Sequence, residues 1–156
     1  AIADLVAEKL KHKPIYSELI VNQVKNSTDA KILENKKVSD IMKTDVEIIN
    51  QDLPIKEALA EMTNQHHSFC PVVDNSNSLI GAIIKSDIED VLINCGDKKL
   101  FVKDIMETNI ITVDKDLNLY TLYFRLHSNN CDKAVVIDEN KKIVGIASRY
   151  DIQEIL

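Results

Sequence analysis

The chain repeats itself. Residues 38–92 align without a gap on residues 102–156, at a constant offset of 64. Thirteen positions are identical: Val38/Val102, Asp40/Asp104, Ile41/Ile105, Met42/Met106, Thr44/Thr108, Asp52/Asp116, Leu53/Leu117, Val72/Val136, Asp74/Asp138, Gly81/Gly145, Asp87/Asp151, Ile88/Ile152 and Leu92/Leu156. Average residue usage would give roughly a quarter of that by chance. Other pairs exchange one apolar residue for another, such as Val46/Ile110, Val73/Ile137 and Leu79/Ile143. A repeat constrains the fold strongly, because what one copy forms the other must form too. One copy alone buries little surface, so the two are expected to share a core.

Each copy reads as the same string of elements. An apolar turn opens it, Val-Ser-Asp-Ile-Met at 38–42 and Val-Lys-Asp-Ile-Met at 102–106. A short strand is expected around 46–49 and 110–113. A helix follows, with apolar residues at helical spacing: Ile55, Ala58, Leu59 and Met62 in the first copy, Leu119, Leu122, Tyr123 and Leu126 in the second. Pro54 suits a first helical turn, where its missing N–H costs nothing. A hairpin comes next, with strands at 71–73 and 79–84 around a polar turn, and at 134–137 and 143–147 in the second copy. β-Branched residues flanking an Asp/Asn-rich turn are the signal for it. Last helices are expected at 85–93 and 149–156. The order β-α-β-β-α gives an α/β unit with a three-stranded sheet, and the two sheets are expected to pack about a pseudo-twofold axis.

Composition excludes several functions. The formal charge is −6, there is no Trp, and the lysine pairs (Lys36-Lys37, Lys98-Lys99, Lys141-Lys142) read as solvated turns. Nucleic-acid binding is therefore not expected. The longest apolar stretches, such as Leu79–Ile84, fall far short of the ~20 residues of a membrane span, so direct insertion in a bilayer is not expected either. No basic segment followed by an apolar one opens the chain, so no signal peptide is expected. The start at Ala1 fits a piece of a longer protein. Cys70, Cys95 and Cys131 are odd in number and lack Cys-x-x-Cys spacing. They read as small buried side chains in a reducing compartment. No Gly-x-Ser-x-Gly, P-loop, His-Glu-x-x-His or Gly-x-Gly-x-x-Gly occurs, and no catalytic residue is assigned. His66-His67 without further His or Cys in register is a poor ligand set; it reads as an exposed pair, and no metal is expected.

The Asp-Ile-Met openings, Pro71-Val72-Val73-Asp74 and the Gly-x-x-x-x-x-Asp closings resemble the CBS domain, named after cystathionine β-synthase, and two in tandem resemble a Bateman module. The resemblance divides the chain into a linker helix at 1–37, repeats at 38–92 and 102–156, and a joining segment at 93–101. It implies a regulatory module, not an enzyme, which binds adenine nucleotides or senses ionic strength and controls a partner domain. Residues 1–10 show helical apolar spacing at Ile2, Leu5, Val6 and Leu10. The stretch after them, Lys13-Pro14-Ile15-Tyr16-Ser17-Glu18-Leu19-Ile20, is similar to the segment that joins the membrane helices of CLC-type chloride channels and transporters to their CBS pair. That similarity implies a membrane transport domain in the same chain, a homodimer, and a place on the cytoplasmic side of the cell membrane. Magnesium or osmolyte transporters and a stand-alone sensor are the alternative parents.

The resemblance also implies a site. In the family a Gly-h-x-Ser/Thr-x-x-Asp motif, h being apolar, holds the nucleotide, the Asp on the ribose and the hydroxyl on a phosphate. The second copy keeps it, from Gly145 through Ser148 and Tyr150 to Asp151, while the first has Ile84 where the hydroxyl belongs, ahead of Asp87. The adenine side is implied at His67 and Ser68, with His67 where the family has a stacking Tyr. The alternative for Asp87 and Asp151 is helix N-capping, since each is read as preceding a helix. The cofactor-binding set is thus His67, Ser68, Ser148, Tyr150 and Asp151, for one molecule of ATP, ADP or AMP. The opposite pocket, with Asp87 beside Cys131-Asp132-Lys133, is expected to stay empty. A structural dimerisation module with no ligand remains the other reading. Ile88, Val91, Leu92, Ile152, Ile155 and Leu156 are candidates for a dimer face.

Overall fold

The computed structural model describes residues 28–96 and 99–156; the helix expected over 1–10 and the Lys13–Ile20 stretch lie outside them. In chain order the elements are α1 (Thr28–Glu34), a 3-10 turn (Val38–Asp40), β1 (Ile49–Asn50), α2 (Ile55–Asn64), β2 (Phe69–Val73), β3 (Leu79–Ile84) and α3 (Lys85–Cys95), then α4 (Val102–Ile105), β4 (Ile111–Asp114), α5 (Leu119–Ser128), β5 (Lys133–Ile137), β6 (Ile143–Ser148) and α6 (Arg149–Glu154). Both copies are β-α-β-β-α. Each forms its own three-stranded sheet, in the order β1-β2-β3 and β4-β5-β6. The first pair of strands is parallel and the second antiparallel in both.

The chain divides into two compact units whose limits differ from those of the repeats. One is Asp45–Ile110; the other joins the described residues up to Thr44 to Ile111–Leu156. The repeats have exchanged their opening turns. Val38, from the first repeat, is fully buried in a core with Val113, Leu119, Leu122, Leu126, Val136 and Ile152. Its N–H donates to the Leu117 carbonyl at 2.8 Å. Val102, from the second repeat, is buried with Ile49, Ile55, Met62, Val72, Ile83 and Ile88, and its N–H donates to the Leu53 carbonyl at 2.9 Å. The identical aspartates of these turns are local braces: Asp40 accepts from the Lys37 N–H and Asp104 from the Phe101 N–H, both at 2.8 Å.

The hairpins are fixed by Asp74 and Asp138. One carboxylate oxygen of Asp74 accepts from the N–H groups of Ser76 and Ser78, and one of Asp138 from those of Asn140 and Lys142. These are side-chain turns that free the chain for a left-handed residue, Asn77 at φ 62° and Lys141 at φ 60°. Left-handed residues also follow α2 and α5, His66 at φ 58° and Asn130 at φ 51°. His and Asn tolerate that region better than most residues, which accounts for His66 without any ligand.

Several expectations need correction. Pro54 is the N-cap of α2 and not its first residue, because its ψ of 141° is extended. Val72, Val73, Ile83 and Val136 are buried as expected, but Ile137 and Ile146 are only half-buried. Ile88 and Ile152, offered for a dimer face, are fully buried inside their own units: the first turn of each closing helix points them at the sheet. Cys70 is buried, Cys131 half-buried and Cys95 exposed at the end of α3, so only one of the three fits the buried reading fully. Among the described residues no helix is long and apolar enough to cross a membrane.

Candidate functional site

Strand β6 places the site. Its register partners on β5 set Lys133 opposite Ser148, so residues 132–133 stand beside 148–149. On the other side of β6, Lys43 forms a two-way bridge with Ile146, N–H to carbonyl at 2.9 Å in both directions. Gly145 allows this approach, since a Cβ there would stand 3.0 Å from the Lys43 carbonyl oxygen. The result is a pocket of about 430 Å³ lined by Lys43, Asp132, Lys133, Ile146, Ser148, Arg149, Tyr150, Asp151 and Gln153. That volume lies within the range of small-molecule sites, about 300–1,000 Å³.

Asp151 is 7% exposed, the one buried charged residue among those described. It is the third residue of α6, not the residue before the helix, and Ser148 is the N-cap. The two form a capping box. Ser148 Oγ accepts from the Asp151 N–H at 3.1 Å, while Asp151 Oδ2 accepts from the Ser148 hydroxyl at 2.8 Å and from its N–H at 3.2 Å. The other oxygen, Oδ1, lies 3.8 Å from the Lys43 ammonium. That distance makes an ion pair but exceeds hydrogen-bond range.

Arg149 is committed elsewhere. Its Nε donates to Asp132 Oδ1 at 3.0 Å, its Nη2 bonds the same oxygen, and its Nη1 lies 3.5 Å from His127 Nδ1. The His127 ring meets Tyr123 edge-on, centroids 4.2 Å apart, and its Nε2 is buried with no hydrogen-bond partner among the described residues. Burial first, and the Arg149 charge second, hold the imidazole below the usual histidine range. Tyr150 is 63% exposed on the pocket wall, its phenol pushed up chiefly by a hydrogen bond to Glu154.

Ser148, Tyr150 and Asp151 are thus brought together as the sequence suggested. Asp132 and Lys133, assigned by sequence to the Asp87 side, line the Asp151 pocket, because the β5–β6 register carries them there. His67 and Ser68 belong to the Asp45–Ile110 unit. His67 is no exposed residue: its side chain is 18% exposed, with Nε2 3.7 Å from Asp45 Oδ2. Near it the Glu47 carboxyl is held above its ordinary range by burial, then by Glu61. Ser68 precedes β2 and its carbonyl accepts from the Lys85 N–H at 2.9 Å. Asp87 is exposed at the third position of α3, behind an N-cap, Ile84, that has no side-chain acceptor. It therefore does not cap its helix as read from sequence. No cluster that could hold a metal ion occurs among the described residues.

The CBS domain profile matches residues 38–94 and 102–156, most of the chain. The chain belongs to the CBS domain family. Among curated proteins it is 36% identical over 124 residues to an uncharacterized protein of Methanocaldococcus jannaschii, covering 80% of this chain and 40% of that one. It is 31% identical to a homoserine O-acetyltransferase of Methanosalsum zhilinae, covering 80% of this chain and 25% of the enzyme. The CBS pair thus spans less than half of these relatives. Among solved structures, a CBS domain pair in complex with 5′-methylthioadenosine and S-adenosyl-L-methionine superposes at a TM-score of 0.67, with 26% identity over 77% of this chain and 94% of that one. The CBS domain of a bacterial CNNM/CorC family Mg2+ transporter in complex with ATP gives 0.70, with 21% identity over 81% and 90%, a likeness of fold.

The sequence reading missed Lys43 and Gln153 as pocket residues, and it did not join Asp132 and Lys133 to Asp151. For Lys43 a signal existed: the offset of 64 pairs it with Glu107, a charge reversal between the identical pairs Met42/Met106 and Thr44/Thr108.

Proposed function

We propose that this chain is the ligand-binding regulatory module of a larger protein, and that the Asp151 pocket takes one adenosine-containing ligand. The buried Asp151 carboxylate carries this reading. One of its oxygens is used by Ser148, and among the described residues the other meets only the Lys43 ammonium, at 3.8 Å. An ionised acceptor of this kind suits a vicinal diol such as ribose, each charge-assisted bond contributing about 1.5–3 kcal/mol. The complex of a 26%-identical CBS pair with two adenosine derivatives supports the ligand class. A chloride-transporter parent rests on residues 13–20 alone, while the curated relatives include an acetyltransferase and an inosine-5′-monophosphate dehydrogenase; the module reading is independent of the parent.

The capping box favours a second reading, in which Ser148 and Asp151 hold α6 and nothing else. Calorimetric titration with ATP, ADP, AMP and 5′-methylthioadenosine separates the two. One site per chain is expected, lost in Asp151→Asn and kept in Asp87→Ala. Binding that survives Asp151→Asn in a folded variant, or that disappears with Asp87→Ala, would overturn the assignment. Absence of binding by every ligand would leave the structural reading.

A further inference from the structure

The two units place opposite charges at one position. In the unit of Asp151, Lys43 is bridged to the strand residue that follows Gly145, Ile146. In the other, Glu107 is bridged to the residue that follows Gly81, Ala82, at 2.9 and 2.8 Å. Lys43 and Glu107 are equivalent under the offset of 64, and so are Asp151 and Asp87. One unit therefore sets a cation over its closing aspartate, while the equivalent turn of the other carries a second carboxylate. Glu107 is turned to its own backbone, accepting from the Asn109 N–H at 2.9 Å.

We infer that Lys43 is a specificity-determining residue of the Asp151 pocket, selecting adenosine ligands with an anionic 5′ group over neutral ones; this rests on that pocket being the ligand site. The backbone of Lys43 is fixed by two hydrogen bonds, yet its side chain is 73% exposed. A flexible four-carbon stem on a fixed base can swing its charge without disturbing the core. A diol on Asp151 Oδ1 would free the ammonium for the ligand's 5′ substituent. Two other described cations line the pocket: Arg149 is tied to Asp132 by two of its nitrogens, and Lys133 is half-buried on β5 and engaged by a neighbour. Among the described cations of the pocket, Lys43 is the exposed one, held by a single 3.8 Å ion pair to Asp151, and its sign differs between the two units.

The test uses the 156-residue chain with two probes, ATP and 5′-methylthioadenosine, which share adenine and the ribose diol and differ in the charge of the 5′ group. Lys43→Glu installs the residue of the other unit at an exposed position, and Lys43→Met keeps an apolar stem without charge. The wild type should bind ATP more tightly than 5′-methylthioadenosine. Lys43→Glu should weaken ATP by ~10-fold or more, the scale of one reversed charge at a half-open site, with 5′-methylthioadenosine changed by less than ~3-fold. Lys43→Met should fall between, and salt should weaken ATP binding selectively in the wild type. Equal losses for both probes, or an unchanged ATP-to-methylthioadenosine ratio, would overturn the role of Lys43 while leaving the site in place. A wild type that binds neither probe would instead bring down the site itself, and this inference with it, before any variant is made.

Discussion

A Cβ on Gly81 would stand 2.6 Å from the carbonyl oxygen of Glu107. Gly145 is in the same position against the other opening turn, where a Cβ would stand 2.8 Å from Met42 Sδ and 3.0 Å from the Lys43 carbonyl oxygen. Both contacts are closer than packed atoms tolerate. Gly81→Ala meets fixed backbone at the closest point, whereas Gly145→Ala meets a flexible thioether first. Alanine should therefore destabilise at both sites by about 1–3 kcal/mol, with Gly81→Ala the worse. Denaturant unfolding of the two variants checks the order.

The exchanged opening turns predict where damage will appear. Val38 belongs to the first repeat, but its side chain is buried with Val113, Leu119 and Leu122. Removing two methyl groups by Val38→Ala should cost about 1–3 kcal/mol. Hydrogen exchange should accelerate in 111–156 more than in 45–92. Acceleration confined to 45–92 would contradict the exchange.

Ser148 is the N-cap of α6 and accepts from the Asp151 N–H at 3.1 Å. Ser148→Ala should cost about 1 kcal/mol. Replacing Ile84 at the equivalent N-cap of α3 by Ser should gain stability, because that helix has no side-chain cap. Thermal unfolding of both variants measures the contrast.

His127 gives the fold a pH dependence. Arginine only donates, so the Arg149 Nη1 beside Nδ1 at 3.5 Å suits a neutral ring with Nδ1 as acceptor. Protonation would set like charges together in a partly buried place, with Asp132 already engaged by Arg149. The folded-state pKa lies below the ordinary 6.5. Below 6.5 the unfolded chain therefore binds more protons, and stability falls as pH drops from there toward the folded value. Above that window this group contributes no slope. His127→Gln should flatten the slope between wild-type curves measured at neutral and mildly acidic pH.

Lys141 sits at φ 60° in the β5–β6 turn, where an ordinary side chain carries a steric cost. Lys141→Gly should stabilise by about 0.5–1 kcal/mol, the relief of that cost exceeding the added freedom of the unfolded chain. The melting temperature reads it directly.

Much of the fold was legible in the residues. The offset of 64, the helical spacing from Ile55 to Met62 and the Asp74 and Asp138 turns specify β-α-β-β-α twice. Each of these signals depends on neighbours within a few residues, or on one copy matching the other. The Gly145–Asp151 motif was legible only through its resemblance to the family's closing motif, and the cap of the helix that follows is Ser148, where the sequence had suggested Asp151.

Tertiary structure decided which turn closes which sheet. Val38-Ser-Asp-Ile-Met and Val-Lys-Asp-Ile-Met are nearly the same string, so no local rule says that each packs with the other repeat's strands. The pocket followed from that choice. Lys43 reaches Asp151 only because residues 42–43 lie against β6, and Asp132 reaches Arg149 only through the register that sets Lys133 opposite Ser148. Sequence supplied the charges, and long-range pairing determined which of them meet.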